Sequence, residues 1–166
     1  ITTIPYEFKG FMGMRNFIIQ DSEGRKLAWA NSNWTHLDIS TGLPARLTPA
    51  DTDNYVLGEK MEMDYAPRKI KLPEDMIAQE AFTVQKHHLD TNHHVNNCQY
   101  VCMAEDFLPE SFKIYQMRAE YKMQAKLGDV ICPKVKTETD KVVVSLDNIE
   151  GKAYAIVEFL KKEGDI

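Results

Sequence analysis

The sequence has no long apolar run. No stretch approaches the roughly 18 consecutive apolar residues that a membrane-crossing helix requires, and no secretory signal opens the chain. Cysteine is scarce: Cys98, Cys102 and Cys132 make an odd count with no C-x-x-C spacing. That argues against a disulfide scaffold and for reduced thiols in a cytoplasmic protein. A clustered basic face is also missing. The 20 Lys and Arg are outnumbered by 25 Asp and Glu, the net charge is -5, and the charges are scattered. Nucleic acid is therefore not an expected partner. Internal repeats and low-complexity segments are absent. There is no initiator methionine: the chain opens on the strand-like Ile1-Thr2-Thr3-Ile4-Pro5-Tyr6. This reads as an internal start, with an N-terminal portion expected to precede it.

What is present suffices for a packed core. Hydrophobic residues make up 43% of 166 residues, enough for one domain, or one small domain plus part of another. Phe17–Gln20 and Lys26–Ala30 flank Asp21-Ser22-Glu23-Gly24, which predicts a β-hairpin whose second arm runs to about Leu37. Along that arm Ala28, Ala30 and Ser32 share one face suited to close packing. From residue 38 to 75 glycines and prolines punctuate the chain. That stretch reads as a connector between two modules, with a short helix near 51–57. Beyond it come a strand over 77–86 and a helix over 95–108, whose apolar stripe is Tyr100, Met103, Ala104 and Phe107. A strand over 112–123 follows, then three more at about 130–137, 142–146 and 153–160. Short links favour antiparallel neighbours, so the class is α+β. A sheet wrapped around one central helix is a hot-dog fold.

Between the first strand of this module and its helix lies His87-His88-Leu89-Asp90-Thr91-Asn92-His93-His94-Val95-Asn96-Asn97. A helix N-terminus carries free N–H groups and partial positive charge, which suits the oxygen of a polarised carbonyl. Asp90 can orient His94 and set its tautomer, and Asn92 can donate to substrate or water. The same residue types also make ordinary helix caps and solvated loops. The histidine spacing matches no standard zinc pattern, so no metal and no cofactor are expected.

The pattern Asp90-x-Asn92-x-His94-Val95-Asn96-Asn97-x-x-Tyr100 resembles the signature of acyl-acyl-carrier-protein thioesterases. Glu120-Tyr121-Lys122 with Gly128-Asp129 resembles the strand and turn that follow in that family. Gly13-Met14-Arg15, the Asp21–Gly24 hairpin and Ala30-Asn31-Ser32-Asn33-Trp34 resemble the closing strands of its first module. The resemblance implies a tandem pair of hot-dog modules. Residues 1–37 would be the closing strands of a partial first module, 38–75 a connector, and 76–162 a complete second module.

It further implies hydrolysis of acyl-acyl-carrier-protein thioesters in fatty-acid biosynthesis, with the carrier protein as partner. Asp90, Asn92 and His94 map onto the family's functional residues, with the carbonyl oxygen near Val95 and Asn96. Gln124 stands where a catalytic glutamate is expected, and Ala125 where plant members carry cysteine. Three readings follow. His94 with Asp90 acts as base while Gln124 positions water; Glu120 substitutes; or activity is weak or lost. The acyl chain would enter an apolar pocket between helix and sheet, and Arg118, Lys122 and Lys126 are candidates to dock the acidic carrier. Alternatives are an acyl-CoA thioesterase, a non-catalytic acyl-thioester-binding module, and a half-domain completed by a partner. Chain-length preference and oligomeric state, a homo-oligomer included, stay open.

Overall fold

The structure, a computed structural model, describes residues 1–161. Residue 162, the expected end of the second module, lies outside them. The chain divides into two compact units, Ile1–Ala66 and Pro67–Ile166.

The first unit is an antiparallel sheet of β1 (Thr2–Lys9), β2 (Met12–Gln20) and β3 (Lys26–Thr35), in that order. The predicted hairpin is β2–β3, closed by Asp21, whose Oδ1 accepts the N–H groups of Glu23 and Arg25 at 2.9 Å. Ala28 and Ala30 are exposed. The short helix α1 spans Pro49–Thr52, earlier than predicted. Thr48 and Asp51 form a capping box there and Pro49 presets the first helical φ, so the local chemistry starts the helix upstream of residue 51. Residues 55–65 return along the sheet. Gly58 passes so close that a Cβ would lie 2.5 Å from Ile4 Cγ2. Buried Asn16 accepts the Met61 N–H (3.1 Å) and the Tyr65 hydroxyl (3.2 Å) through Oδ1.

The second unit holds a sheet in the order β4-β7-β8-β9-β6, with β5 also on β7, every pairing antiparallel. The strands are β4 (Ile77–Ala78), β5 (Phe82–Thr83), β6 (Ile114–Tyr121), β7 (Val130–Thr137), β8 (Lys141–Asp147) and β9 (Ala153–Lys161). The helix α2 (Asn97–Glu105) packs on β8 and β9. The predicted strand over 77–86 is thus two short pieces. Its partner explains the break: the Pro133 carbonyl accepts the Gln79 N–H at 2.9 Å, but proline has no N–H to return.

Alternation along the central strands separates two faces. Val142, Val144, Leu146, Ala155, Val157 and Phe159 pack with Tyr100, Met103 and Ala104 of α2, and Phe107 joins them, as the predicted stripe requires. Each of the Val, Leu and Phe side chains among them, where fully buried, stabilises the fold by about 1.5–3 kcal/mol. This is the hot-dog arrangement: an antiparallel sheet around one helix. Val143 and Ile156 point to the other face, where Ile70 covers them. The stretch before β4 is strapped over that outer face. Arg118 donates to the Pro67 carbonyl (2.5 Å) and pairs with Glu158 (2.7 Å). Ile70 N–H donates to Glu120 Oε2 at 3.1 Å, and Lys136 pairs with Asp75.

Candidate functional site

The segment between β5 and α2 folds as a small ribbon. His88–Asp90 runs antiparallel to His94–Asn96: Asp90 N–H donates to the His94 carbonyl (2.8 Å) and Asn96 N–H to the His88 carbonyl (2.9 Å). His94–Asn96 pairs on its other side with the chain after β6. His94 is bridged to Lys126, and Val95 N–H donates to the Ala125 carbonyl at 2.9 Å. Asn96 and Gln124 each lie two residues from that bridge, and both are exposed.

The ribbon's tip is Thr91-Asn92-His93. The Asp90 carbonyl accepts His93 N–H at 3.1 Å, closing a four-residue turn. Asp90 Oδ1 accepts the N–H of Asn92 (2.8 Å) and of His94 (3.3 Å). Asp suits the first position of such a turn because its short side chain reaches the backbone two residues on. His93 follows at φ 61°, alone among described non-glycine residues in having positive φ. A three-residue hairpin loop calls for this conformation at its third residue, and a side chain there costs on the order of 1 kcal/mol.

Two expectations are corrected here. Asp90 holds His94 by its backbone N–H rather than by its ring. The Val95 and Asn96 N–H groups cannot face a carbonyl oxygen, because each already donates to a backbone carbonyl in the ribbon. Asn96 is instead the N-cap of α2: its Oδ1 accepts Cys98 N–H at 2.9 Å. Gln99 N–H turns back to the Asn96 carbonyl at 2.8 Å. At this helix start Asn97 N–H is left without an acceptor among the described residues.

Burial sorts the ribbon's two faces. Val95 and Ala125 are in the core, with Leu89 packed against it. His94 is half-buried, while Asn96, Gln124 and Lys126 are exposed. Residues directly opposite in an antiparallel pair share a face. The pairing therefore gathers His94, Lys126, Asn96 and Gln124 on the solvent side at the N-terminus of α2. Exposed Asn92 stands at the tip, and Asp90 ties the turn. Tyr100 fixes the third strand of the ribbon: its buried hydroxyl accepts Ala125 N–H at 2.8 Å. Burial pushes the Tyr100 phenol above its ordinary pKa, so it stays protonated at neutral pH.

Glu120 does not belong to this group. It is engaged by Ile70 N–H and by Lys122 (3.3 Å) on the outer face of the sheet, beside Ile156. Arg118 is similarly occupied by Glu158 and the Pro67 carbonyl. The side-chain contact of His88 escaped the sequence reading. Its Nδ1 accepts Gln85 N–H at 2.9 Å, so Nε2 carries the proton, and burial, then the neighbouring His87, hold it below the usual imidazole range. No spacing signal could have found this, because the contact depends on a three-residue 3-10 turn, Lys86–His88.

Between α2 and the sheet, packed side chains fill the space expected to take an acyl chain. An open cleft of about 440 Å³ lies instead on the outer face, lined among others by Leu72, Met76, Lys134, Asp147 and Ile156.

Comparison with known proteins gives the family. The family model described as acyl-ACP thioesterase C-terminal domain matches residues 70–159, which include the whole ribbon, α2 and the strands that hold them. The chain belongs to the acyl-ACP thioesterase family. The structure is similar to an acyl-ACP thioesterase from Bacteroides thetaiotaomicron, with TM-score 0.83, 19% identity, and coverage of 96% of this chain and 67% of that one. It is also similar to the 12:0-ACP thioesterase from Umbellularia californica, with TM-score 0.78, 17% identity, and coverage of 96% of this chain and 64% of that one. The chain thus spans about two thirds of the length of these structures, and at such identities they establish the fold. No curated protein matches the sequence. Within an acyl-ACP thioesterase domain, the turn tied by Asp90 and the Tyr100 clamp are the devices that set Asn92, His94 and Gln124 around the start of α2.

Proposed function

We propose that this chain carries out thioester hydrolysis on acyl groups borne by acyl carrier protein, releasing free fatty acid in fatty-acid biosynthesis in the cytoplasm. The observation that supports this reading is the shared solvent face of His94, Asn96 and Gln124 at the N-terminus of α2, in a domain of this family. His94 takes a proton from water, the hydroxide adds to the thioester carbonyl, and the proton returns to the departing thiolate. Asn97 N–H and the Asn92 amide serve the carbonyl oxygen, while Val95 and Asn96 shape the wall beside it. Gln124, which cannot accept a proton as a carboxylate does, holds the water. Asp90 keeps the turn in place. Exposed Lys126, opposite His94, offers the cationic contact for the acidic carrier. In this reading residues 1–37 close a first hot-dog module, 38–75 link it, and the second module begins at residue 76.

Gln124 supports a second reading, an acyl-thioester-binding module without turnover. Acyl-CoA is an alternative substrate, since coenzyme A and the carrier arm share the pantetheine thiol. The test is hydrolysis of acyl-carrier-protein and acyl-CoA thioesters by the chain and by His94→Ala. A base contributes about 10²–10⁴-fold, so a loss of that size is expected. An unchanged rate in His94→Ala sinks the site assignment. Thioester binding with no turnover by the unsubstituted chain selects the second reading. Gln124→Glu is expected to raise the rate.

A further inference from the structure

The turn that leads into the ribbon is closed twice between the same two residues. Gln85 N–H donates to His88 Nδ1 at 2.9 Å, and His88 N–H donates to the Gln85 carbonyl at 3.1 Å. The His88 carbonyl in turn accepts the N–H of Asn96, the N-cap of α2, at 2.9 Å. One residue therefore joins the Lys86–His88 turn to the start of the helix. The ring contact depends on charge. An imidazole accepts through Nδ1 only while neutral, and the protonated ring is a donor at both nitrogens. Its new N–H would face the Gln85 N–H, two donors with no acceptor between them.

Little nearby favours that protonated ring. Lys86 and His87 share its turn, Asp90 and His94 stand on the ribbon, Lys126 is bridged to His94, and Asp129 is backbone-bonded to Val84. His87, its ring centroid 4.1 Å from that of His88, is a like charge when protonated. Asp90 is taken by the Asn92 and His94 N–H groups, and Asp129 by Lys126 N–H (2.8 Å) and the Tyr154 hydroxyl (3.4 Å). Among the described residues the histidine that pairs with a carboxylate is His36, in the other unit. Burial, then His87, accordingly hold the His88 ring below the usual imidazole range. The stability that the neutral ring contributes is thus complete above the usual imidazole value of about 6.5 and is lost as pH falls from there through the lower, folded value.

We propose that His88 is a positioning residue of the candidate site: its neutral ring latches the turn and, through its own carbonyl, holds Asn96 and the start of α2, and protonation of the ring releases both. Asn96 N–H keeps its acceptor only while the His88 backbone stays in place. The consequence for hydrolysis rests on the reading of His94 and Asn92 as site residues, whereas the latch itself does not.

The test is nuclear magnetic resonance of the chain through about pH 5 to 8, the range over which histidine titrates. Imidazole nitrogen shifts should show the His88 proton on Nε2 at neutral pH and a midpoint below that of an exposed histidine. Protection of the Gln85 and Asn96 amides against hydrogen exchange should fall with the same midpoint. His88→Asn separates the latch from the charge, because its Oδ1 takes the place of Nδ1 as acceptor but does not titrate. Protection in that variant should match the parent at neutral pH and stay level in acid. His88→Ala removes the acceptor, so protection should be low throughout. Its hydrolysis rate at neutral pH should fall by up to about 10²-fold, the cost of a small misplacement, while His88→Asn keeps the parent rate. The proposal is overturned if Gln85 and Asn96 protection in the parent is level across the titration, if the neutral His88 ring carries its proton on Nδ1, or if the Asn and Ala variants behave alike. A parent that hydrolyses no thioester fails the catalytic reading, and the exchange measurements still decide the latch.

Discussion

The ribbon at the start of α2 depends on one buried hydroxyl, and removing it tests the whole arrangement. In Tyr100→Phe the ring stays in the core, so no cavity opens and the apolar contacts persist. What disappears is the acceptor for Ala125 N–H, 2.8 Å away in a buried setting. A buried donor left without a partner costs about 1–3 kcal/mol. In a domain of this size each kcal/mol lowers the thermal midpoint by about 4–8 °C. In urea, a loss of about 2 kcal/mol at a slope of about 2 kcal/mol/M moves the midpoint by about 1 M. The slope should stay constant, because the surface exposed on unfolding is the same. Hydrogen exchange at Ala125 should quicken in the same variant. If urea midpoint, slope and Ala125 exchange all match the parent, Tyr100 does not hold the 124–126 segment. The placement of Gln124, next to the clamped Ala125, then loses its physical basis.

Other outcomes follow from the same geometry. His93→Gly removes a side chain from a positive-φ position, so the chain should gain on the order of 0.5–1 kcal/mol in urea unfolding. A loss would show that the His93 side chain supports the turn. Asp90→Asn keeps an oxygen to accept the Asn92 and His94 N–H groups, whereas Asp90→Ala keeps none. If Asp90 acts by holding the turn, the Asn variant retains most of the hydrolysis rate and the Ala variant does not. Equal loss in both would instead require its charge. Tyr100, Tyr121 and Tyr154 all have phenols raised above the ordinary value of 10.0, burial being the leading cause. The neutral form is favoured in the fold, so this stability is complete below about pH 10 and is lost as pH rises beyond it. Alkaline unfolding followed by circular dichroism should therefore begin above about pH 10, and Tyr100→Phe should flatten that dependence.

Much of the architecture is legible in the residue pattern, for a local reason. The stripe Tyr100, Met103, Ala104 and Phe107 marks the buried face of α2 because the 3.6-residue period alone decides which side chains share a face. The β2–β3 hairpin and the β7, β8 and β9 strands are visible because turn residues and alternation are equally local. Asp90, Asn92 and His94 are candidates through the signature they share with the family, a resemblance that the sequence carries by itself. Pattern cannot say which partner a backbone or side-chain group will meet. The strand predicted over 77–86 is cut in two by Pro133 on β7, more than forty residues along the chain. Glu120 is equivalent to a catalytic carboxylate by alternation, yet the strap at Ile70 takes it on the far face of the sheet. Val95 and Asn96 N–H groups read as free because helix starts usually leave them so, but the ribbon register consumes both. The sequence by itself determined the elements, the turn chemistry and the identity of the candidate site, all of which act within a few residues. Only the tertiary structure decided which donors and carboxylates remain available there, because hydrogen bonds across the ribbon and the sheet are made between distant parts of the chain.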